Sequence, residues 1–163
     1  MSKLGSEENP LKVAIVGAGP SGFYAADALI NSDLKVEVNL LEKLCAPYGL
    51  VRTGVAPDHP LIKKSIEKFA VMAEPEAFNY FGNVSVGKDI TVDDLKETHH
   101  AVIITMGAET DRKLGIPGED LKGSHTATEF VAWYNGHPEY REREFDLSHE
   151  TAVIIGQGNV AAD

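Results

Sequence analysis

The sequence has a single cysteine, no long apolar run and fewer basic than acidic residues. The lone Cys45 cannot build a disulfide framework, which is typical of a reducing compartment. No apolar run approaches the roughly 20 residues that span a bilayer, and the polar, acidic opening residues contain no signal-peptide core. These absences predict a cytoplasmic protein without a membrane span.

The charge balance limits the kinds of partner. The chain of 163 residues carries 15 Lys and Arg against 25 Asp and Glu, for a net charge of −10. Nucleic acids and anionic membranes are bound mainly through basic residues, so neither is expected as the main partner. The hydrophobic content of 43% is ordinary for a globular protein with a real core.

A glycine-rich turn follows the first apolar run, residues 13–16. Gly17, Gly19 and Gly22 have the spacing GxGxxG. The first glycine permits a tight turn out of a strand, the second lets a pyrophosphate approach the backbone, and the third lets the next helix pack closely. Residues 23–30 predict that helix, whose free N–H groups would face the anion. The stretch therefore predicts a dinucleotide-binding turn.

A second strand completes the unit. Val36, Val38 and Leu40 alternate with polar residues, and the strand ends at Glu42, twenty residues after Gly22. A carboxylate at this position is expected to accept hydrogen bonds from a ribose diol. The spacing thus predicts a βαβ nucleotide-binding unit over residues 12–42.

The middle of the chain predicts further α/β structure. We expect a functional loop over 43–60, because long irregular segments in compact domains are seldom without a role. An amphipathic helix is predicted over 61–73, short strands near 78–81 and 84–86, a helix capped by Thr91, a buried strand over 101–108, and a helix over 127–135 that Gly136 stops. The apolar strand over 101–108 fits a parallel sheet. The adjacent His99 and His100 diverge on an exposed helix end, so we expect no metal site there.

The first pattern returns near the end of the chain. Residues 152–161 again read as an apolar strand, a GxGxxA turn at Gly156, and the start of a helix. Two such units predict two bound dinucleotides. Only thirteen residues remain from Thr151, whereas a βαβ unit needs about thirty. We therefore expect an incomplete second domain, and a chain that is the front portion of a longer protein and inactive as a reductase by itself.

From residue 13 to residue 163 the chain resembles the adrenodoxin reductase-like ferredoxin-NADP+ reductases, which have two Rossmann-type domains. The long segment from Gly49 to Pro60 is the most specific part of the resemblance. The motifs that carry it are Gly17-x-Gly19-Pro20-x-Gly22-Phe23, Tyr48-Gly49-Leu50-Val51-Arg52-x-Gly54-Val55-Ala56-Pro57-Asp58-His59-Pro60, Phe81-Gly82-Asn83-Val84-x-Val86-Gly87, Ile116-Pro117-Gly118-Glu119, Trp133-Tyr134-Asn135 and Gly156-Gln157-Gly158-Asn159-Val160-Ala161. The clearest departure is Met106-Gly107-Ala108, where many relatives of the wider flavoprotein class carry Ala-Thr-Gly.

The resemblance implies FAD in the first unit, NADP(H) in the second, and a ferredoxin-type iron-sulfur protein as the electron acceptor. It implies cofactor contacts at Gly17, Gly19, Pro20, Ser21, Gly22, Glu42, Gly49, Leu50 and Val86 for FAD, and at Gly156, Gln157, Gly158 and Asn159 for NADPH. His59 would lie where nicotinamide meets flavin, in a positioning or proton-handling role or as a plain structural histidine. The implied fold is α/β: a lead over 1–11 that we expect to be disordered, a Rossmann-type FAD domain over 12–107, and the connection and first strand-turn of a truncated NADPH domain over 108–163.

Two other functions stay open at this point. A pyridine nucleotide-disulfide oxidoreductase uses the same two nucleotide folds together with a redox-active cysteine pair. One common branch places that pair just after the ribose carboxylate, where this chain has only Cys45. The second alternative is a non-catalytic FAD-binding electron-relay subunit, against which the segment from Gly49 to Pro60 weighs.

Overall fold

A parallel sheet of four strands forms the centre of the protein, which is described here from a computed structural model covering residues 2–108 and 110–163. The strands lie in the order β3-β2-β1-β4, and every neighbouring pair is parallel. Their bounds are β1 (Leu11–Val16), β2 (Val36–Glu42), β3 (Phe78–Gly82) and β4 (Ala101–Ile104). Because the strands are parallel, their carboxyl ends lie at one edge of the sheet.

Seven helices are found in the part of the chain that the structure describes. They are α1 (Pro20–Ile30), α2 (Gly49–Thr53), α3 (Pro60–Lys63), α4 (Ser65–Met72), α5 (Val92–Thr98), α6 (Ala127–Tyr134) and α7 (Asn159–Ala162). Helix α1 connects β1 to β2, the two central strands, as expected for a βαβ unit.

The two faces of the sheet have separate hydrophobic cores, because successive side chains of a strand point to opposite faces. On one face Val13 and Ile15 pack with Phe23 of α1 and Phe69 of α4, all of them fully buried. The Phe23 and Phe69 rings stack with their centroids 5.2 Å apart. On the other face Ala14, Val16 and Leu41 pack against Leu95 of α5. Burial of this apolar surface is the main term that stabilises the fold.

Several predicted elements are confirmed. Thr91 caps α5 with a complete capping box, in which its hydroxyl accepts from the Asp94 N–H and the Asp94 carboxylate accepts from the Thr91 N–H. Helix α6 ends at Tyr134, immediately before Asn135 and Gly136. The three strands predicted near residues 13, 36 and 101 all lie in the parallel sheet.

Other elements differ from the sequence expectation. The single helix predicted over 61–73 is two helices, α3 and α4, separated at Lys64. The Ser65 hydroxyl donates to the Ile62 carbonyl at 2.6 Å, a local bond that competes with the helical ladder. Leu61 and Ile62 stay exposed, so no apolar packing holds α3 in line with α4. The predicted loop over 43–60 contains the short helix α2.

Four predicted strand or lead segments also differ. Residues 84–86 contribute only an isolated bridge between Val86 and Ile90, and β4 ends at Ile104. Residues 152–155 are exposed and form no strand within the described part of the chain. Where the sequence predicts a disordered lead, the Gly5 N–H donates to the Asn9 carbonyl at 2.8 Å in a turn, and β1 begins at Leu11.

Three polar contacts between described residues join the later part of the chain to the sheet domain. Lys43 pairs with Glu139 at 3.2 Å, Lys63 donates to the Asn135 side chain at 3.2 Å, and His59 contacts Asp163 at 2.8 Å. No helix in the described ranges is long and apolar enough to cross a membrane.

Candidate dinucleotide-binding site

The first glycine turn lies at the carboxyl end of β1 and is held by hydrogen bonds within the protein. The Gly17 N–H donates to the Leu41 carbonyl at 2.8 Å. Gly17 has φ +107°, which side-chain-bearing residues rarely adopt, and a Cβ there would lie 2.7 Å from the Thr105 carbonyl oxygen. At Gly22, a Cβ would overlap the Gly17 carbonyl oxygen. The close packing predicted for the first and third glycines is therefore present.

Gly19 differs from both of these glycines. Its backbone has φ −83° and ψ −177°, an extended conformation open to any residue. A Cβ on Gly19 would meet no atom within 4 Å. The protein itself thus gives no reason for a glycine at this position. The open space lies above the start of α1, where free backbone N–H groups favour an anion, beside Pro20 and the exposed Ser21.

Glu42 contacts backbone rather than open solvent. Its two carboxylate oxygens accept separate hydrogen bonds, one from the Ala18 N–H at 2.9 Å and one from the Leu44 N–H at 3.1 Å. The half-buried side chain therefore ties the glycine turn to the segment that follows β2. Each oxygen keeps a lone pair that a ribose hydroxyl could use.

Tyr80, on the neighbouring strand β3, lies beside this carboxylate. Burial, and secondarily the charge of Glu42, raise the pKa of Tyr80 to about 12. The phenol consequently stays neutral at physiological pH, and its hydroxyl faces the Leu44 carbonyl at 3.4 Å. The Leu44 backbone thus makes two contacts, in which its N–H donates to Glu42 and its carbonyl faces the Tyr80 hydroxyl.

Tyr48 and Gly49 form a wall next to the glycine turn. The Tyr48 N–H donates to the Ala18 carbonyl at 2.7 Å, and Tyr48 has φ 90°, an uncommon conformation for a residue with a side chain. Gly49 has φ +47°, and a Cβ there would lie 2.9 Å from the Gly19 Cα. Leu50 follows with its side chain 67% exposed. Of the predicted residues, Gly49 lies beside Gly19, and Leu50 is the next residue along the chain.

Val86 lies on the other side of the sheet from most of these residues. It packs against the core that Val16 and Leu41 form, while Val84 donates from its N–H to the Glu42 carbonyl at 2.9 Å. The structure therefore places Val86 next to the β2 end of the site but not beside Gly19.

The second glycine turn is open and exposed. Gly158 immediately precedes α7, with φ −84° and ψ −179°, and a Cβ there would meet no atom within 4 Å. Gly156, Gln157 and Asn159 are exposed as well. The turn repeats the Gly19 geometry at the start of a helix of four residues, which ends directly before Asp163.

His59 contacts the segment that follows the second glycine turn. It precedes α3, and its Nε2 lies 2.8 Å from the Asp163 Oδ1, with Asp58 further away at 3.9 Å. The hydrogen bond and the charge of Asp163 raise the pKa of His59 above its ordinary value of 6.5. The imidazole and the carboxylate thus bridge the segment after α2 and the segment after the second glycine turn.

Sequence reasoning missed Thr105 and Asp163. The Thr105 hydroxyl, directly after β4, lies 3.0 Å from the Val16 carbonyl and 2.9 Å from the Gly17 carbonyl. Its place at the carboxyl end of a sheet strand was the available signal. Asp163 offered no signal, because its partner His59 lies 104 positions earlier.

The adjacent histidines have separate structural partners. His99 Nε2 lies 2.9 Å from Asn39 Nδ2, whereas His100 Nδ1 accepts from the Lys12 N–H at 3.0 Å. His99 is half-buried rather than solvated as expected. Among the described residues, no group of three or more His, Cys, Asp or Glu is arranged to hold a metal ion.

We expect Glu42→Ala to weaken FAD binding by roughly 10- to 100-fold, because hydrogen bonds to a charged group contribute about 1.5–3 kcal/mol. Glu42→Gln keeps one acceptor oxygen and should lose less. The measurement is the dissociation constant for FAD from quenching of its fluorescence. Glu37→Ala, at the other end of β2, is the control. An unchanged dissociation constant in Glu42→Ala would remove Glu42 from the site.

A parallel sheet whose central strand runs into a glycine turn and then a helix, with a carboxylate at the end of the next strand, defines the Rossmann-type class of nucleotide-binding folds. The sequence profile of the family described as "Pyridine nucleotide-disulphide oxidoreductase" matches residues 11–163. The chain belongs to this family. Since Cys45 is the only cysteine, the chain itself contains no dithiol pair.

Relatives within this class are about half identical to the chain. NADPH:adrenodoxin oxidoreductase, mitochondrial, from Salvelinus fontinalis is 54% identical over 152 residues, covering 93% of this chain and 30% of the relative. NADPH-ferredoxin reductase FprA from Mycobacterium leprae is 53% identical over 156 residues, covering 93% of this chain and 34% of the relative. The chain thus spans about a third of the length of these relatives.

A solved structure supports the same fold. The structure of Mycobacterium tuberculosis FprA in complex with NADPH matches with a TM-score of 0.91 and 50% identity, covering 94% of this chain and 35% of that one. The predicted α/β, Rossmann-type parallel sheet and the predicted resemblance to adrenodoxin reductase-like proteins are therefore confirmed.

Proposed function

We propose that this chain is the nucleotide-binding part of a flavoprotein that passes electrons from NADPH through FAD to a ferredoxin-type iron-sulfur protein. The observation that carries the proposal is the open space at Gly19, walled by Gly49 and bordered by Glu42. The names of the relatives supply the donor and the acceptor, NADPH and adrenodoxin or ferredoxin. We assign residues 12–107 to FAD and residues 108–163 to the beginning of an NADPH domain.

The open space at Gly19 supports the assignment of a dinucleotide to the first glycine turn. A side chain at Gly19 would fill the space without meeting protein atoms, whereas Gly17 and Gly22 are required by packing. A pyrophosphate at Gly19 would lie against the backbone N–H groups that start α1. The adenosine ribose would then contact Glu42, with Gly49 and Leu50 on the other side and Val86 near the carboxyl end of β2. The second turn, Gly156 to Asn159, offers NADPH the same arrangement.

Bound flavin supplies the redox chemistry, since it accepts two electrons as hydride and releases them singly. The protein's own residues bind and orient. Thr105 and Glu42 hold the glycine turn in place from two sides, and Tyr48 fixes the wall that follows. No side chain need act as a nucleophile, so a Ser-His-Asp or Cys-His arrangement is not required.

His59 is the residue we propose for proton handling or positioning between the two cofactors. Its contact with Asp163 fixes the imidazole and links it to α7, the helix that starts at the second glycine turn. With its pKa raised by Asp163, His59 holds a proton at Nε2 over a wider pH range than an isolated histidine.

The location and the cofactor preference belong to the proposal as well. We propose a cytoplasmic protein, although the Salvelinus fontinalis relative is named as mitochondrial. The preference for NADP over NAD is taken from the relatives' names. Neither nucleic acid nor membrane is proposed as a partner, in keeping with the net charge of −10.

The proposal is tested on the protein purified at its full natural length. We expect visible flavin absorbance, bleaching of that band by NADPH under anaerobic conditions, and reduction of cytochrome c only when ferredoxin is added. A colourless protein that cannot take up FAD would refute the proposal. Bleaching without ferredoxin-dependent reduction would favour a disulfide reductase or an electron-relay subunit.

We expect the His59–Asp163 contact to depend on pH in a defined direction. Because the pKa of His59 is raised by the Asp163 contact, the stabilisation is fully present below 6.5 and is lost as pH rises through the raised value. Asp163→Asn should lower the pKa of His59 towards 6.5. The measurement is an NMR titration of the imidazole Cε1 proton. His125, which has no Asp163 contact among the described residues, is an internal control. A His59 pKa that is equal in the wild type and in Asp163→Asn would contradict the contact.

A further inference from the structure

Lys63 joins three separate segments with one ammonium group. Its Nζ donates to the Arg52 carbonyl in α2 at 3.2 Å and to the Asn135 Oδ1 after α6 at 3.2 Å, while Lys63 itself lies in α3. The residue is half-buried. Two directed acceptors in a half-buried place distinguish this contact from an ordinary surface ion pair.

The Asn135 side chain is fixed on its other end. Its Nδ2 donates to the Val131 carbonyl at 3.0 Å, so its Oδ1 is the atom presented to Lys63. Asn135 follows α6 directly and is followed by Gly136, whose N–H donates to the Trp133 carbonyl at 3.0 Å. The amide thus presents a rigid acceptor, which gives a structural use to the Asn135 that ends the Trp133-Tyr134-Asn135 motif.

The Lys63 backbone also contacts His59. The Lys63 N–H donates to the His59 carbonyl at 3.2 Å, so one helical turn connects the ammonium group to the imidazole. His59 and Lys63 therefore lie one helical turn apart, and their partners Asp163, at 2.8 Å, and Asn135 both belong to the later part of the chain. The Lys63 and His59 contacts bridge the same two parts of the chain.

From this geometry we infer that Lys63 and Asn135 are positioning residues for electron transfer between the two dinucleotides. The inference rests on the proposed function. The Lys63–Asn135 hydrogen bond sets how the segment carrying the second glycine turn lies against the FAD-binding domain. Transfer between bound partners depends steeply on their alignment, and a displacement of about 1 Å can lower a rate by up to about 100-fold.

The test is a double-mutant cycle in the protein at its full natural length, with Lys63→Met, Asn135→Leu and the double variant. Stopped-flow bleaching of the flavin gives the limiting rate of reduction and its dependence on NADPH concentration. Lys64→Met is the matched control, because Lys64 is exposed, adjacent and of the same charge. Lys63→Arg keeps N–H donors for both acceptors and therefore tests whether the rate of flavin reduction is restored. Thermal melting of each variant measures its stability separately.

We expect each single variant to lower the limiting rate about tenfold, the double variant to be no slower than either, and Lys63→Arg to recover most of the rate. The FAD content of the variants and the limiting rate of the Lys64→Met control should equal those of the wild type. Additive effects, unchanged limiting rates, or rates that follow melting temperature alone would overturn the inference. A wild-type flavin that NADPH does not reduce would overturn the proposed function, and this inference with it.

Discussion

Gly19→Ala is expected to leave the protein folded and unable to keep its flavin. An alanine at φ −83° and ψ −177° is unstrained, and its Cβ would meet no atom within 4 Å. Replacing glycine at such a compatible site commonly stabilises a protein by about 0.4–1 kcal/mol. The same methyl group would occupy the space a pyrophosphate needs. We expect the dissociation constant for FAD to rise at least about 100-fold, or about 2.7 kcal/mol.

The measurement combines thermal melting of the apoprotein with FAD titration of the refolded sample. Gly158→Ala is the matched variant, since the second turn has the same backbone angles and the same empty surroundings. At full natural length it should keep its flavin and lose affinity for NADPH. Retention of normal FAD affinity by Gly19→Ala would show that the space at the first turn is not the pyrophosphate site.

Gly22→Ala should have the opposite signature, a large loss of stability. Its Cβ would overlap the Gly17 carbonyl oxygen and would lie 3.1 Å from the Thr105 hydroxyl and 3.2 Å from a Leu40 methyl. Overpacking of this kind costs about 1–3 kcal/mol and sometimes more, and here backbone must move. We expect a loss of about 3 kcal/mol in the free energy of unfolding.

Urea denaturation followed by circular dichroism measures this loss in the absence of flavin. Ser21→Ala, at the neighbouring exposed position of α1, is the control and should change stability by less than about 0.5 kcal/mol. If Gly22→Ala unfolded at the same urea concentration as the wild type, this would contradict the close packing of α1 against the glycine turn.

The sequence predicts the first βαβ unit well because its signals are local. The turn glycines, the alternating residues of β2 and the capping box at Thr91 each specify their own segment without help from distant residues. The same holds for the end of α6 before Gly136. The parallel pairing of β1 with β2 follows from the helix α1 that connects them.

What the sequence does not predict depends on contacts between distant segments. The expectation for Glu42 concerns a ribose, but its hydrogen bonds to the Ala18 and Leu44 N–H groups become visible only in the folded chain. The break at Lys64 depends on a serine hydroxyl and on the absence of packing against Leu61. Asp163 reaches His59 across 104 positions, a separation that no local pattern records.

The bonds that Thr105 and Glu42 make to the glycine turn are made by the protein alone. Because these bonds use only groups of the protein, they restrain the turn without a nucleotide, and association has less conformational entropy to remove. Reconstitution of the colourless protein with flavin should accordingly proceed as a single encounter step, whose rate rises in proportion to flavin concentration and reaches no plateau set by a slow rearrangement of the chain.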